Sequence, residues 1–485
     1  MDYDLKSDTQ SGRLGLLGLP ATELAAGIRR GEISPRELTE KALKRAETLQ
    51  KSLNLFTYIA RTEALERADW AERELASGRS LGLLHGVPYT LKDFIPAEGY
   101  PLTYGSKIFR GNVSKFDSVC AKRLKDAGGV LLGITTSPEM GHKAMTDSPL
   151  YGTTRNPWDL SRTPGGSSGG GAAAVAAGVG PLAFGTDGAG SVRIPAACCG
   201  VVGIKPTLGA IPRDYDQDAF NQLSHTGVMS RTVADTALAM SVVVGPHPDD
   251  PHSSGSHRGD YLRAAMPIGD LRGIRVLFLS NVGNSAVDDE TLSLTVQSVD
   301  AIRSLGAFVE ERSVDLKKSA DLLFVLNPAS SFDSFGSMLA ERGDEFDPSF
   351  KVAIEWGRDI SGQDLQRAIH GRTDIFRIVQ KLLRDFDFIV TPALTTPAVP
   401  VTTTAWQKIV IDGVEYGTGR YDWFCYLHPF NHSGNPAISV PIGWTEQGLP
   451  VGLQIVGRWH ADAEVLRVAA ELETIRPWAY RWPEV

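Results

Sequence analysis

Two serines in a glycine-rich stretch are the residues of this chain with the clearest potential for chemistry. Ser167 and Ser191 lie within the run TPGGSSGGGAAAVAAGVGPLAFGTDGAGSVRIP, which spans residues 163–195. Glycine permits backbone conformations with positive φ and leaves room for another group to approach closely. A serine hydroxyl is a poor nucleophile unless a base lies nearby. The stretch therefore predicts a reaction site formed partly by backbone, in which a nucleophilic serine would need a base.

The glycine pattern alone leaves three other interpretations open. GGSSG at 165–169 matches the G-x-S-x-G elbow of Ser–His–Asp hydrolases, in which Ser167 would be the nucleophile and a histidine its base. That elbow directly follows a buried strand, whereas RNPWDLSRTP, which precedes it here, cannot form a central strand. A phosphate-binding loop would continue with Gly-Lys-Ser/Thr, which does not follow here. A purely structural glycine turn is the third interpretation.

An upstream lysine lies in an apolar run that could bury it. Lys92 belongs to LLHGVPYTLKDFI, residues 83–95, and is followed directly by Asp93. A free lysine has a pKa of about 10.4, and burial lowers that value because it disfavours the charged form. The residues alone allow two interpretations: a buried lysine with a lowered pKa, or a surface lysine paired with Asp93.

Several ordered blocks resemble the signature of the amidase signature family. The main blocks are GGSSGG at 165–170, GTDGAGSVRIP at 185–195 and LKD at 91–93. The likeness continues through NPW at 156–158, GIKPT at 203–207 and PFNHSGNPAISVPIG…GLPVGLQIVG at 429–457. It covers most of residues 80–245 and again 385–475, whereas residues 250–380 carry little of it. Ordered blocks at family-like spacing are more specific than any single motif.

The resemblance implies a Ser–Ser–Lys triad. Ser191 would be the nucleophile, Ser167 the bridging serine with a cis peptide bond before it, and Lys92 the base. Serine hydroxyls can both donate and accept hydrogen bonds, as a proton relay from Ser191 through Ser167 to Lys92 requires. The relay therefore makes chemical sense if Lys92 is buried and neutral.

The resemblance also places an oxyanion hole in the loop that contains Ser191. Its expected backbone donors are the N–H groups of Gly188, Ala189, Gly190 and Ser191. The loop departs from the family pattern at Ala189, where the family usually has glycine. We expect four further residues to support the loop or the relay rather than to act on substrate; they are Ser168, Thr186, Asp187 and Arg193.

The C-terminal segment around residue 430 contains two histidines in an aromatic setting. His428 and His432 are four residues apart, but Pro429 makes a helical metal-binding pair unfavourable, and no acidic residue has the matching spacing. We expect no metal there. The aromatic run RYDWFCYLHPF at 420–430 fits either core packing or a hydrophobic wall of an acyl pocket.

Helices and strands alternate around these segments. SPRE at 34–37 has the capping-box form with Pro35 at the first helical position, and it opens a helix with one apolar face. Further helices are expected near 21–32, 62–77, 117–127, 232–244 and 462–473, and residues 315–385 look mainly helical. Another helix would place Leu292, Val296 and Val299 in register. Strands are expected at VLLGI, IRVLFLS, AFVEE, DFDFIVTPA, AISVPIG and VGLQIVG.

This order of elements predicts an α/β fold, of the amidase-signature type by resemblance, with a large mixed, twisted sheet and helices on both faces. No clear break separates two domains, so we expect one domain over residues 1–485. Its parts would be an N-terminal arm and covering helices (1–80), the signature core (81–245), a variable helical region on the substrate side (246–385) and the rest of the core (386–485).

Composition excludes several classes of protein. The chain has 485 residues, a net charge of −8, and no basic run of the kind that nucleic acid binding requires. No run of about 18 apolar residues predicts a membrane span, and the polar N-terminus is no secretory signal. Four cysteines without CxxC spacing favour a reduced, cytoplasmic protein. We expect neither cofactor nor membrane or nucleic acid partner, and a monomer or homodimer.

The sequence therefore predicts a cofactor-independent serine hydrolase that cleaves the C–N bond of small, hydrophobic or aryl amides through an acyl-enzyme. Esters and carbamates (urethanes) could enter the same cycle. A glutaminase subunit of a tRNA-dependent amidotransferase is the first alternative, and a Ser–His–Asp esterase the second. A catalytically inactive scaffold is a third, against which the intact set of Lys92, Ser167 and Ser191 argues.

Overall fold

An eleven-stranded mixed β-sheet organises the computed structural model, which describes residues 14–79, 82–255, 259–417 and 420–485. Two short hairpin ladders lie outside the sheet, β4 with β5 and β12 with β13. The described strands in chain order are β1 (Phe56–Ile59), β2 (Pro88–Lys92), β3 (Val130–Thr135), β4 (Asp147–Ser148), β5 (Gly152–Thr153), β6 (Leu182–Asp187), β7 (Val202–Lys205), β8 (His225–Ser230), β9 (Arg275–Asn281), β10 (Phe308–Ser313), β11 (Phe388–Pro392), β12 (Ile409–Ile411), β13 (Val414–Tyr416), β14 (Ala437–Trp444) and β15 (Pro450–Gly457).

Helices occupy most of the chain between the strands. No helix among the described residues has both the length and the apolar character needed to cross a membrane. In chain order the described α-helices are α1 (Ala21–Arg29), α2 (Pro35–Leu53), α3 (Arg61–Ala76), α4 (Val119–Asp126), α5 (Gly169–Ala176), α6 (Arg193–Cys199), α7 (Val233–Val243), α8 (Tyr261–Ala264), α9 (Asp289–Ser304), α10 (Lys318–Phe335), α11 (Leu339–Arg342), α12 (Pro348–Gly357), α13 (Gly362–Asp385), α14 (Arg420–Trp423), α15 (Pro429–His432) and α16 (Asp462–Ile475).

The strand order of the sheet is β1-β3-β2-β6-β8-β7-β14-β15-β11-β9-β10. Strand β2 pairs in parallel with both β3 and β6, and β9 pairs in parallel with β10 and β11. The pairs between β6 and β11 in the sheet order are antiparallel. Because β2 and β6 run side by side in the same direction, their carboxyl ends meet at one edge of the sheet.

Apolar side chains pack on both faces of the sheet, as alternation along a strand requires. In β6, Leu182 and Phe184 belong to one buried cluster, whereas Ala183 belongs to another. The first cluster includes residues of α1, α4, α7 and α16, and the second includes residues of α2, α3, α5 and α6. The predicted α/β fold with a large mixed sheet and helices is confirmed.

Most predicted elements are present, and the predicted N-cap of α2 is confirmed. The Ser34 hydroxyl caps α2 by accepting a hydrogen bond from the Glu37 amide at 3.0 Å. One predicted helix face is wrong: in α9, Val296 is exposed, and the buried positions carry three hydroxyl residues together with Val299 and Ile302. Strands β1, β7 and β8 of the large sheet were not predicted. Residues 1–13 of the predicted N-terminal arm lie outside the described residues.

Candidate active site

The predicted base lies at the edge of the sheet where β2 and β6 end. Lys92 is the last residue of β2, and Thr186 and Asp187 end β6. The Lys92 side chain is 1% exposed, although lysine is rarely buried. Open parallel sheets commonly place their ligand sites at the carboxyl ends of strands. Reactive groups are therefore expected at this edge.

Two hydroxyl groups surround the Lys92 amine. Its Nζ donates hydrogen bonds to Ser167 Oγ at 2.7 Å and to Thr186 Oγ1 at 2.9 Å. Burial lowers the pKa of Lys92 well below its usual range, and the positive charge of Arg213 lowers it further. Asp93 instead accepts hydrogen bonds from the Thr103 amide and hydroxyl and from the Gly105 amide. The alternative of a surface ion pair between Lys92 and Asp93 is therefore wrong.

The segment before α5 brings Ser167 to Lys92. The Gly166–Ser167 peptide bond is cis, as the sequence resemblance implied, and Gly165 has a positive φ of 77°. A Cβ at Gly165 would lie 2.9 Å from the Pro195 Cα, so only glycine fits there. Ser168 links this segment to the second serine, because its amide donates to the Ser191 carbonyl at 3.0 Å. The Ser168 Oγ also accepts from the Thr186 amide at 3.3 Å.

The loop between β6 and α6 carries Ser191 and, among the described residues, several backbone amides without an acceptor. Within the described ranges, the amides of Gly188, Ala189 and Ser191 have no acceptor, and the Ser191 hydroxyl makes no hydrogen bond. The Gly190 amide differs, because it donates to Asp187 Oδ1 at 2.7 Å. In the part of the chain that the structure describes, three of the four amides predicted as oxyanion donors therefore have no acceptor, whereas the Gly190 amide is already bonded.

A buried ion pair holds the loop in place. Arg193 donates to both carboxylate oxygens of Asp187 at 2.9 Å, and both side chains are fully buried. Burial alone would raise the pKa of Asp187, but Arg193 and the Asn431 amide lower it below its ordinary value. Removing one partner of such a pair is costly, because it leaves a buried charge unpaired. The predicted supporting positions Asp187 and Arg193 therefore lie together directly beneath the loop.

Sequence reasoning did not single out Asn431 and Gln454, which complete this network. Asn431 donates to the Asp187 carbonyl at 2.8 Å and accepts from Arg193 at 2.6 Å. Gln454 Oε1 accepts from Arg193 at 2.6 Å. Both residues are in the family-like block at 429–457, so that block was the available signal. Their connection to a loop more than 230 positions away could not be deduced from it.

The histidines near residue 430 have structural partners. His428 hydrogen-bonds to Ser319 Oγ at 2.8 Å, and His432 to the Ser319 carbonyl at 2.9 Å. Burial lowers their pKa values to about 3 and about 4. Across the described ranges no three His, Cys, Asp or Glu side chains are grouped to hold a metal ion. No described histidine bonds to Ser167, so nothing supports a histidine-dependent elbow.

Aromatic side chains lie near Lys92 and near the loop that carries Ser191. Phe94 lies 4.6 Å from Lys92 Nζ and contacts Tyr104, which in turn contacts Phe109; all three rings are partly exposed. In the Ser191 loop, the partly buried Ala189 packs against a cluster that includes Phe424 and Leu427. The aromatic run at 420–430 is thus mainly core packing, but this core supports the loop that carries Ser191.

The Lys92 amine is buried and bonded to Ser167. Ser191 lies in a loop that, among the described residues, has three backbone amides without an acceptor. Such an arrangement can activate a serine hydroxyl without a histidine. Together with the mixed sheet, this arrangement is that expected of an α/β hydrolase of the amidase signature class. The chain belongs to the amidase family, whose model matches residues 37–466. The match runs through residues 250–380, where the sequence blocks carried little resemblance. The protein is an amidase that hydrolyses C–N bonds other than peptide bonds.

The similarity to known proteins covers almost the whole chain. An acylamidase of Rhodococcus erythropolis is 39% identical over 96% of this chain and 97% of its own length. A bacterial aryl acylamidase of the amidase signature family has the same fold, with a TM-score of 0.89, 31% identity and coverage of 95% and 97% of the two chains. A glutamyl-tRNA(Gln) amidotransferase subunit of Acidothermus cellulolyticus is 36% identical over 96% of this chain and 95% of its own length.

Proposed function

We propose that the protein hydrolyses small apolar or aryl amides through an acyl-enzyme formed on Ser191. The observation that carries this proposal is the 2.7 Å hydrogen bond between Lys92 Nζ and Ser167 Oγ in a buried environment. Burial lowers the pKa of Lys92 and so favours the neutral amine, the form that can accept a proton. Lys92 is therefore suited to act as the base of the relay.

In the first half of the cycle, Ser191 Oγ attacks the amide carbonyl. Its proton passes to Ser167, whose own proton passes to Lys92, and the same route returns a proton to the leaving amine. The amides of Gly188, Ala189 and Ser191 stabilise the developing oxyanion. Losing one such donor typically costs on the order of 10²–10³ in rate. Water then attacks the acyl-enzyme by the same relay and releases the acid.

Two observations favour an apolar or aryl substrate. The partly exposed rings of Phe94, Tyr104 and Phe109 follow one another away from Lys92, with centroid separations of 5.1 and 5.3 Å. Such rings favour aromatic partners by stacking as well as by burial of apolar area. The similarity to an acylamidase and an aryl acylamidase points the same way. Aryl esters and carbamates also offer a carbonyl and a leaving group, so we propose them as side substrates.

A substrate panel tests this proposal. Aryl amides, aliphatic amides, aryl esters and carbamates are offered to the parent enzyme, to Ser191→Ala and to Ser304→Ala, a matched change at an exposed serine of α9. We expect aryl amides to be the best amides, Ser304→Ala to behave as the parent, and Ser191→Ala to lose at least about 10³-fold in kcat. A Ser191→Ala enzyme that still transfers acyl groups at the parent rate would refute the mechanism.

A glutaminase component of an amidotransferase remains the second candidate, because of the 36% identity to a glutamyl-tRNA(Gln) amidotransferase subunit. Such a protein would work within a complex and would take glutamine as its amide. The isolated chain distinguishes the two functions. Glutamine hydrolysis that exceeds aryl amide hydrolysis, or activity that depends on added partner subunits, would favour the glutaminase.

A further inference from the structure

A tight turn at residues 139–141 closes over the hydroxyl of Ser167. Gly141 has a positive φ of 64°, and a Cβ built there would lie 3.2 Å from Ser167 Oγ and 3.3 Å from Phe94 Cζ. Phe94 itself lies 4.6 Å from Lys92 Nζ. The turn therefore limits where the Ser167 hydroxyl and the ring beside Lys92 can go.

One buried carboxyl group holds this turn. Glu139 is completely buried, its Oε1 accepts from Ser106 Oγ at 2.5 Å, and its Oε2 accepts from the Asp347 amide at 2.6 Å. The next residue, Met140, donates its amide to the Tyr104 carbonyl at 2.8 Å. A buried carboxylate with a donor on each oxygen fixes its own position, because losing either bond leaves a polar group unpaired.

The first of the two donors, Ser106, lies in a segment that is hydrogen-bonded to the residue after β2. Asp93, which follows Lys92, accepts from the Thr103 amide at 2.6 Å and from the Gly105 amide at 3.0 Å. Ser106 directly follows Gly105 in the sequence. The segment 103–106 is thus held by Asp93 on one side and by Glu139 on the other. Contacts consequently run from the end of β2 to the turn that faces Ser167.

The second donor belongs to the helical region at 246–385. Asp347 caps α12, and its Oδ2 accepts from Lys143 Nζ at 2.7 Å. His142 Nε2 hydrogen-bonds to Ser349 Oγ at 2.6 Å in the first turn of the same helix. Residues on both sides of Gly141 are therefore fastened to α12. The position of this helix is transmitted to Ser167 through the turn.

We infer that Glu139 is a positioning residue of the proposed relay, which holds the 139–141 turn so that the Ser167 hydroxyl keeps its hydrogen bond to Lys92 Nζ. The inference rests on the proposed function, because it assigns Ser167 the bridging role. Glu139 acts only through the turn and does not touch the reacting atoms. Its loss should therefore slow catalysis more than it weakens substrate binding.

The first test compares Glu139→Gln with the parent enzyme on an aryl amide. Glutamine keeps the shape of the side chain but has one acceptor oxygen in place of two, so one donor loses its partner. We expect kcat to fall about 10- to 100-fold, the effect of small misplacements of reacting groups, while KM stays within about threefold. Asp344→Asn makes the same chemical change at an exposed position near Asp347 and should leave both constants unchanged.

The second test asks whether the effect passes through Ser167. In a Ser167→Ala background, measured with an activated aryl ester, Glu139→Gln should lower the residual kcat by less than about twofold. Ser106→Ala removes one of the two donors to the Glu139 carboxyl group without altering Glu139 or adding an atom beside Ser167, and it should reproduce the fall in kcat at unchanged KM. It also serves if Glu139→Gln folds poorly.

Three results would overturn the inference: a parent-like kcat for Glu139→Gln, a Glu139→Gln loss that is as large in the Ser167→Ala background as in the parent, or a parent-like kcat for Ser106→Ala. Failure of the proposed function is distinguishable, because it would show as activity in Ser191→Ala. If Ser191 is essential and Glu139→Gln is unaffected, only the positioning role fails.

Discussion

At the scale of single residues, the environment of Lys92 is the feature on which the proposed chemistry depends. The amine contacts two hydroxyl groups and an aromatic ring, and its side chain is almost completely buried. The carboxylate beside it in sequence, Asp93, is turned toward the Thr103–Gly105 segment. A lysine without a bonded carboxylate gains little from being charged, so the neutral form is favoured.

We predict that kcat/KM rises with pH as Lys92 loses its proton. A protonated amine cannot accept the proton of Ser167, so the acidic side of the profile reports the fraction of neutral Lys92. Because burial lowers this pKa, the rise should be complete well below the ordinary range of lysine near 10.5. The measurement is kcat/KM for an aryl amide across pH 5–10.

Lys92→Arg is the matched variant for this prediction. Arginine keeps the positive charge but does not deprotonate in proteins, so it cannot serve as the base. We expect a loss of at least about 10³-fold in kcat/KM at every pH, in the range of a lost acid–base group. A Lys92→Arg enzyme with a parent-like profile would show that another group titrates.

At the scale of elements, α5 packs its backbone against the sheet. All of its residues are buried, and its first turn consists of glycines. A Cβ at Gly170 would lie 2.6 Å from both the Leu55 carbonyl oxygen and the Thr136 amide nitrogen. These are backbone atoms and cannot move aside as a side chain can. The close approach brings the beginning of α5, and with it Ser167 and Ser168, to the edge of the sheet.

We predict that Gly170→Ala destabilises the protein, because the added methyl group must displace backbone. Inserting a methyl group into a packed interior typically costs about 1–3 kcal/mol. Gly362→Ala is the control: it lies in the first turn of α13, and a Cβ there meets no atom within 4 Å. That change should be neutral or stabilise by up to about 1 kcal/mol. Urea unfolding of both variants decides, and equal stabilities would contradict the packing argument.

At the scale of the whole molecule, the sequence predicted elements better than it predicted their partners. Local signals such as the Ser34 cap and the apolar strands gave the α/β class and most of the helices. The resemblance pointed to Lys92, Ser167 and Ser191. It could not show that the Gly190 amide donates to Asp187 or that Asn431 donates to the Asp187 carbonyl. Those contacts depend on the sheet order, which places distant segments side by side. The sheet order produces no periodic pattern of apolar residues in the sequence.

The error in α9 has a local origin instead. Its buried face includes Thr291, Thr295 and Ser298, whose hydroxyls are polar, whereas the apolar Val296 is exposed. Thr295 and Ser298 each donate to the carbonyl four residues earlier in the helix, at 2.8 Å. A helix can therefore bury hydroxyl residues that satisfy themselves locally, and an apolar periodicity does not reveal this.

Contacts between distant parts of the chain also make its stability depend on pH. Asp235, in the first turn of α7, is fully buried and accepts from the Thr22 amide of α1 at 3.0 Å, across 213 positions of sequence. Burial raises the pKa of Asp235 from 3.8 to about 6, against the opposing effect of its hydrogen bonds. Between these values the unfolded chain releases a proton that the folded chain retains. The free energy of unfolding therefore falls as pH rises from about 4 to 6.

We predict that Asp235→Asn removes this part of the pH dependence. Asparagine stays neutral in both states and can still accept from Thr22, so the variant resembles the protonated parent. Relative to the parent, it should be about equally stable at pH 4 and more stable above pH 6. The difference is on the order of 3 kcal/mol, from about two pKa units. Asp344→Asn, at an exposed position, should leave the profile unchanged. Urea unfolding at pH 4, 5, 6 and 7 provides the comparison, and a constant difference between Asp235→Asn and the parent would show that Asp235 does not keep its proton in the folded protein.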